Sequence, residues 1–124
     1  MHETVLRPDP IIKAVHGAFC RGVSRVELLE TAATKILEVD ARYAGVYMYV
    51  VRGSELALEV AVGRPATVSS VPAGRPIESD LSVTIRLHEH ILGAIAIEGE
   101  VPGGFGEAEE HAVHEVADAL AVLL

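Results

Sequence analysis

Hydrophobic side chains recur every four residues at Ile11, Val15 and Phe19, a spacing that stacks them on one face of a helix. The stretch PDPIIKAVHGAFC is therefore predicted as a first helix, with Asp9 as its N-cap, Pro10 at its first position and Gly22 ending it. A second helical period follows in SRVELLETAATKILEV. Ser24 and Glu27 form an S-x-x-E capping box, in which each side chain can satisfy a backbone donor at the helix start. Leu28, Leu29, Ala32, Ala33, Ile36 and Leu37 make its apolar stripe. The period then drops to two. AGVYMYVV, ELALEVAV, SVTIRL and ILGAIAIE are rich in β-branched and aromatic residues and are predicted as strands. Arg52-Gly53-Ser54 and His88-Glu89-His90 are the turns of two hairpins. Between the hairpins, RPATVSSVPAGRPIES contains three prolines and a glycine, which predicts a loop with one short strand near Thr67–Val71. VPGGFG breaks the chain once more. EAEEHAVHEVADALAVLL then reads as a last helix, with Ala108, Ala112, Val116, Ala119 and Leu123 on one face. Its acidic first turn suits the positive end of the helix dipole.

Sequential hairpins make an antiparallel sheet, and helices at both ends of the chain can cover one of its faces. The predicted class is α+β. Strict alternation along the strands assigns Val46, Met48, Val50, Leu56, Leu58, Val60, Val62, Val83, Ile85, Leu87, Ile91, Gly93, Ile95 and Ile97 to the helix-covered face. The other face then collects Tyr43, Gly45, Tyr47, Tyr49, Ala57, Glu59, Ala61, Ser82, Thr84, Arg86, Ala94, Ala96 and Glu98. This mixture of aromatic, small and charged residues fits two descriptions. It matches the half-solvated face of an ordinary antiparallel sheet. It also matches the floor of a ligand site, with apolar walls and a few orienting polar groups. Glu59 and Arg86 on this face are candidates either for a cross-sheet ion pair or for orienting a polar ligand.

Length and composition narrow the picture. A chain of 124 residues fits one domain, predicted over 9–124 behind an N-terminal tail at 1–8. Half of the residues are hydrophobic but only 4% are aromatic, so the core is built from Val, Ile, Leu and Ala. The net charge of −8 and the scattered basic residues argue against nucleic acid and anionic membrane surfaces as partners. No apolar run approaches the roughly 20 residues of a membrane span. The N-terminal MHETVLRPDP has no apolar signal region, so a bacterial, cytoplasmic protein is expected. The one cysteine, Cys20, excludes an intrachain disulfide. His111 and His114, with Glu110, Glu115 and Asp118 nearby, could supply two or more ligands to a metal. They also fit solvated surface, and H-x-x-H alone falls short of the three or four ligands a site needs. The closing ADALAVLL lacks a polar cap, which suits packing against a second copy of the chain.

YAGVYMYVVRGSELALEVAVGRPAT, VPAGRPI and SVTIRLHEHILGAIAIEGEVPGGFGEAEEH together resemble the first hairpin, the proline-glycine loop and the closing hairpin-to-helix stretch of a GAF domain. The likeness runs from about Asp9 to Leu124. It implies a profilin-like central antiparallel sheet with the N- and C-terminal helices packed on one face, and a small-molecule pocket on the other. It also implies frequent dimerisation and a role in sensing. Within that family, YAGVYMYV and GRPATVSSVPAGRPI are similar to the free methionine-R-sulfoxide reductases. That similarity implies Tyr43 and Tyr47 as an aromatic pair, and Asp80 and Glu98 as acids recognising a free amino acid. A further acid's position holds Ala96, Thr67 and Ile77 stand where two cysteines would be, and the segment carrying the third is missing. Reduction of a sulfoxide needs a nucleophilic thiolate and a resolving thiol, and Cys20 lies on the first helix, so this chemistry is not expected here. The helix and strand that roof the pocket in the family are also missing, since only Pro76-Ile77-Glu78-Ser79 separates Arg75 from Asp80. Either the Arg64–Ser79 loop folds over the floor, or a second subunit covers it.

The expected function is a non-catalytic sensory or regulatory module that binds a small molecule or a partner protein, as a homodimer and without a cofactor. Its candidate ligand-binding residues are Tyr43, Tyr47, Tyr49, Glu59, Asp80, Thr84, Arg86 and Glu98. Two alternatives stand beside it. One is an unusual enzyme, related to the reductases or using a metal on the His/Glu helix. The other is a purely structural dimerisation domain.

Overall fold

The computed structural model describes residues 6–39, 41–100 and 104–124. In chain order the elements are α1 (Pro8–Cys20), α2 (Arg25–Val39), β1 (Tyr43–Arg52), β2 (Glu55–Gly63), β3 (Ser70–Pro72), β4 (Leu81–Leu87), β5 (His90–Gly99) and α3 (Glu107–Ala121). Among the described residues the strands form one antiparallel sheet in the order β3-β2-β1-β5-β4. Helix α2 packs on β1 and β2, α3 packs on β4 and β5, and α1 lies against both helices. The result is the α+β layer that the order of periods predicts.

The local signals place most boundaries. The Ser24 hydroxyl accepts the Glu27 N–H at 3.2 Å, which is one half of the capping box. Gly22 follows the Arg21 C-cap with φ +78°, a left-handed conformation that glycine adopts without a Cβ penalty. Gly53, at φ +64°, turns the β1–β2 hairpin. Four expectations change. Helix α1 starts at Pro8 with Arg7 as N-cap, so Asp9 sits in the first turn rather than at the cap. Of the tail expected over 1–8, Pro8 belongs to α1 and Leu6 is buried in the core; residues 1–5 lie outside the described ones. Phe19 is 48% exposed, and Ala18 takes its place beside Ile11 and Val15 on the buried face. The short strand is Ser70–Pro72, later than expected. Of the VPGGFG break, Val101, Pro102 and Gly103 lie outside the described residues.

Two apolar clusters sandwich the sheet. The larger, under the helices, holds Val46, Met48, Val50, Val60, Leu81, Val83, Ile85, Ile95 and Ile97 with the buried faces of α1, α2 and α3. The smaller, on the opposite face, holds Tyr47, Tyr49, Leu56, Ile77, Ala94 and Ala96, with Leu58, Val71 and Ile91 packed against it. Strict alternation fails at three places where the register slips. Tyr43 pairs with Gly99 but Gly45 with Glu98, which makes Ala44 an extra residue in β1. Met48 pairs with Val60 but Tyr49 with Leu58, which makes Glu59 extra in β2. Ile85 pairs with Gly93 but Arg86 with Ile91, which makes Leu92 extra in β5. A bulge inserts one residue and reverses the facing of everything beyond it. Tyr43 therefore lies under the helices, whereas Leu56, Leu58 and Ile91 lie on the opposite face, each against expectation.

Helix α3 departs in the same way. Its buried face is Glu109, Ala112, Val113, Val116, Ala117, Leu120 and Ala121, while Ala108 is exposed and Ala119 half-buried. Glu109, one of three acids in the first turn, faces inward. It accepts the Tyr43 hydroxyl at 3.1 Å, pairs with Arg42 at 3.5 Å, and lies 3.5 Å from the Leu6 N–H. Phe105 packs on the Tyr43 ring at 5.2 Å between centroids. Tyr43 thus ties β1 to α3 as a structural residue.

Candidate functional site

On the sheet face away from the helices, Tyr47 and Tyr49 project from β1 over the small side chains of Ala94 and Ala96 on β5. Small neighbours leave room for the two rings to lie along the sheet. Gly45 extends this room, because a Cβ there would overlap the Tyr47 ring and hydroxyl. The Arg64–Ser79 loop folds back across the rings. Tyr47 Oη lies 2.7 Å from the Arg64 carbonyl and 2.8 Å from Glu98 Oε1, so its single proton serves two acceptors. The Tyr49 hydroxyl donates to the Val68 carbonyl at 2.7 Å. Ala66, Val71, Ala73 and Ile77 of the loop segment complete the packing. The space left between Tyr47, Tyr49, Thr67, Ile77, Ala96 and Glu98 is about 10 Å³. That is room for one water at most. Of the two ways to cover the floor, the chain uses its own loop.

Burial pushes the Tyr47 hydroxyl well above the ordinary phenol range; the Glu98 hydrogen bond and charge add to the effect and the Arg64 charge opposes it. Burial, with a smaller contribution from the Glu98 charge, raises Tyr49 in the same direction. A raised folded-state value favours the protonated, folded form. The associated stability is fully present below the unfolded phenol value of about 10 and is lost as pH rises from there toward the folded value. The melting temperature is therefore expected to fall as pH rises above about 10, and Tyr47→Phe should make that fall shallower. At neutral pH the same variant should cost about 1 kcal/mol for the lost hydrogen bond, read by urea denaturation. An alkaline profile identical to that of the unmodified protein would contradict the buried hydroxyl.

The remaining candidates divide. Glu98 joins the two tyrosines, but Asp80 does not, because its carboxylate accepts the Gly99 N–H at 2.8 Å and pins the start of β4 to the end of β5. Glu59, the bulged residue, pairs with Arg52 at 2.6 Å and not with Arg86. Thr84 and Arg86 project on the floor side of β4 and line open space instead of the tyrosine cavity. His111 and His114 are both exposed, and no cluster of three or more potential metal ligands occurs among the described residues. Cys20 is exposed on α1, while Thr67 and Ile77, where the reductase resemblance would place cysteines, both line the tyrosine cavity.

Two grooves lie beside the filled cavity. One, of about 230 Å³, runs between the β4–β5 end of the floor and the loop, and is lined by Leu56, Gly74, Arg75, Pro76, Thr84, Arg86 and Ile91. Leu56 and Ile91 reach it only because of the bulges at Glu59 and Leu92. The described ion pairs engage Lys35, Arg42, Arg52 and Arg64, and neither Arg75 nor Arg86 has a carboxylate partner among the described residues. The other groove, of about 440 Å³, follows the outer edge of β4 past His88, with His114 and Asp118 of α3 on its far wall. Sequence reasoning missed Arg75, Leu56 and Ile91. No local signal marks them, since the first depends on the path of the loop and the others on register.

No protein-family model matches the sequence, and no curated protein matches it. Solved structures do. The chain superposes on fRMsr of Staphylococcus aureus in complex with substrate with a TM-score of 0.76 at 13% identity, covering 98% of this chain and 99% of that one. It superposes on the free methionine-R-sulfoxide reductase from Neisseria meningitidis with a TM-score of 0.75 at 16% identity, over 91% and 85% of the two chains. The GAF domain of an Acinetobacter phosphoenolpyruvate-protein phosphotransferase gives a TM-score of 0.74 at 12% identity, over 93% and 88%. The three helices and the five-stranded antiparallel sheet thus match the α+β fold of these reductases and GAF domains, and the protein has a GAF-like fold.

Proposed function

We propose that the protein is a non-catalytic, GAF-like regulatory module, active as a homodimer, that binds a small anionic molecule with an apolar portion in the groove between Arg75 and Arg86. The observation that carries this reading is the pair of unpartnered guanidiniums flanking an apolar floor of Leu56 and Ile91. Guanidinium forks bind carboxylate and phosphate oxygens bidentately, and Thr84 adds a hydroxyl beside them. On a chain of net charge −8, unpaired arginines in a concave site are a specific resource for an anion rather than part of a general basic surface. The filled tyrosine cavity supports the floor and orders the loop that presents Arg75. With no thiol at that cavity, regulation by occupancy fits the residues better than sulfoxide chemistry.

Thermal shift with phenyl phosphate and benzoate, against neutral benzyl alcohol, tests the reading. A ligand at 100 times its dissociation constant stabilises the folded state by about 2.7 kcal/mol, so both anions should raise the melting temperature and the alcohol should not. Arg86→Ala should weaken binding at least about tenfold, the loss expected for one charge-assisted contact. Equal shifts from the alcohol and the anions, or an unchanged affinity in the Arg86 variant, would overturn it.

A further inference from the structure

The two edges of the sheet are treated differently. The β3 edge is three residues long and ends in Pro72, both of which discourage pairing with another chain. The β4 edge is seven residues long, contains no proline and carries one charged side chain, Arg86. No strand among the described residues pairs with its outer side, and the 440 Å³ groove runs along it. Such an edge is a template for strand addition.

We infer that β4 pairs antiparallel with β4 of a second copy about a two-fold axis at Thr84, joining two sheets into one. This rests on the homodimer reading above and gives it an interface. The partner is chosen by complementarity along the strand. A seven-residue strand pairs over its full length with its own copy only when the axis passes through its middle residue, Thr84. Leu81 then opposes Leu87, and Val83 opposes Ile85, on the helix side. Leu87 is 36% exposed in the isolated chain, one of four large hydrophobic residues exposed to that degree among the described residues. Ser82 opposes Arg86 on the floor side. Beyond the strand, Asp80 precedes β4 and His88 follows it, so the same register brings Asp80 of one copy opposite His88 of the other. The groove holds Arg86 on its strand side and Asp118 on its helical wall, so each copy offers both signs of charge to the other. A two-fold interface demands this self-complementarity.

Sedimentation of the full chain over a concentration series tests the register. Ser82 does not itself line the anion groove, and because its variants act on Arg86 of the second copy, anion binding is read on the unmodified chain. Ser82→Lys sets an introduced ammonium against Arg86 twice in each dimer and should weaken dimerisation about fivefold; Ser82→Glu sets a carboxylate there instead, giving two opposite-charge pairs, and should tighten it by a similar factor. Leu87→Asp should weaken it at least about tenfold without lowering the melting temperature of the monomer. Dimerisation unchanged by all three variants would overturn the interface while leaving the dimer itself standing. A monomer at every concentration would overturn both the interface and the dimer, and neither result bears on the anion groove, which thermal shift reads separately.

Discussion

Val60→Asp is expected to unfold the protein or bring it to the edge of unfolding, whereas Ala61→Asp, one residue along the same strand, should be nearly neutral. Val60 is 6% exposed and opposes Met48 in the cluster beneath the helices. A carboxylate there has no cation partner, and an uncompensated buried charge costs about 3–5 kcal/mol. Domains of this size have about 5–15 kcal/mol in total, so the substitution removes from about a fifth to all of it. Ala61 opposes Tyr47 on the other face, and its own side chain is exposed. Urea denaturation followed by circular dichroism compares the two. A stable Val60 variant beside a destabilised Ala61 variant would mean that the faces of β2 are exchanged, and the floor assignment would go with them.

Gly93→Ala should be nearly as damaging, for a different reason. Gly93 sits between Val50 on β1 and Ile85 on β4, next to the bulged Leu92. A Cβ at this position would overlap the Tyr49 carbonyl oxygen of the neighbouring strand. That atom belongs to backbone, so relief requires separating β1 from β5 in the middle of the sheet. Overpacking of this kind costs about 3 kcal/mol and would disturb Tyr49, which lies on that strand. Gly17→Ala is the control. In α1 its new methyl would meet only the Arg21 guanidinium, at 3.5 Å, and replacing glycine inside a helix should stabilise by about 0.5–1 kcal/mol. A Gly93 variant as stable as the unmodified chain would show that β1 and β5 are not so closely apposed.

Much of the candidate site was legible from the strands. Alternation places Tyr47, Tyr49, Ser82, Thr84, Arg86, Ala94, Ala96 and Glu98 on the face away from the helices, and the structure agrees for each. Tyr43 fails because Ala44 is an extra residue between it and the rest of β1. Glu59 fails because it is itself the extra residue of β2. Both sit beside sequence that looks regular, since a bulge is set by how two strands meet and not by either strand alone. The inward turn of Glu109 was hidden for a related reason. An acid in the first turn of a helix satisfies the dipole whichever way it faces, so only the Tyr43 hydroxyl, Arg42 and the Leu6 N–H waiting beneath it decide its direction.

The amino-acid sequence by itself determined the elements and their order. Apolar periods of near four and of two, the Ser24 cap, and the glycine turns at 22 and 53 act within a few residues, and they lead to a GAF-like α+β layer. Tertiary structure alone decided what the open face became. Three register slips moved Leu56, Leu58 and Ile91 onto the floor and took Tyr43 away from it, and the folded-back loop closed the tyrosine cavity and set Arg75 in the groove that Arg86 lines. Those outcomes depend on contacts between segments far apart in the chain, where pairing geometry and packing override the local period.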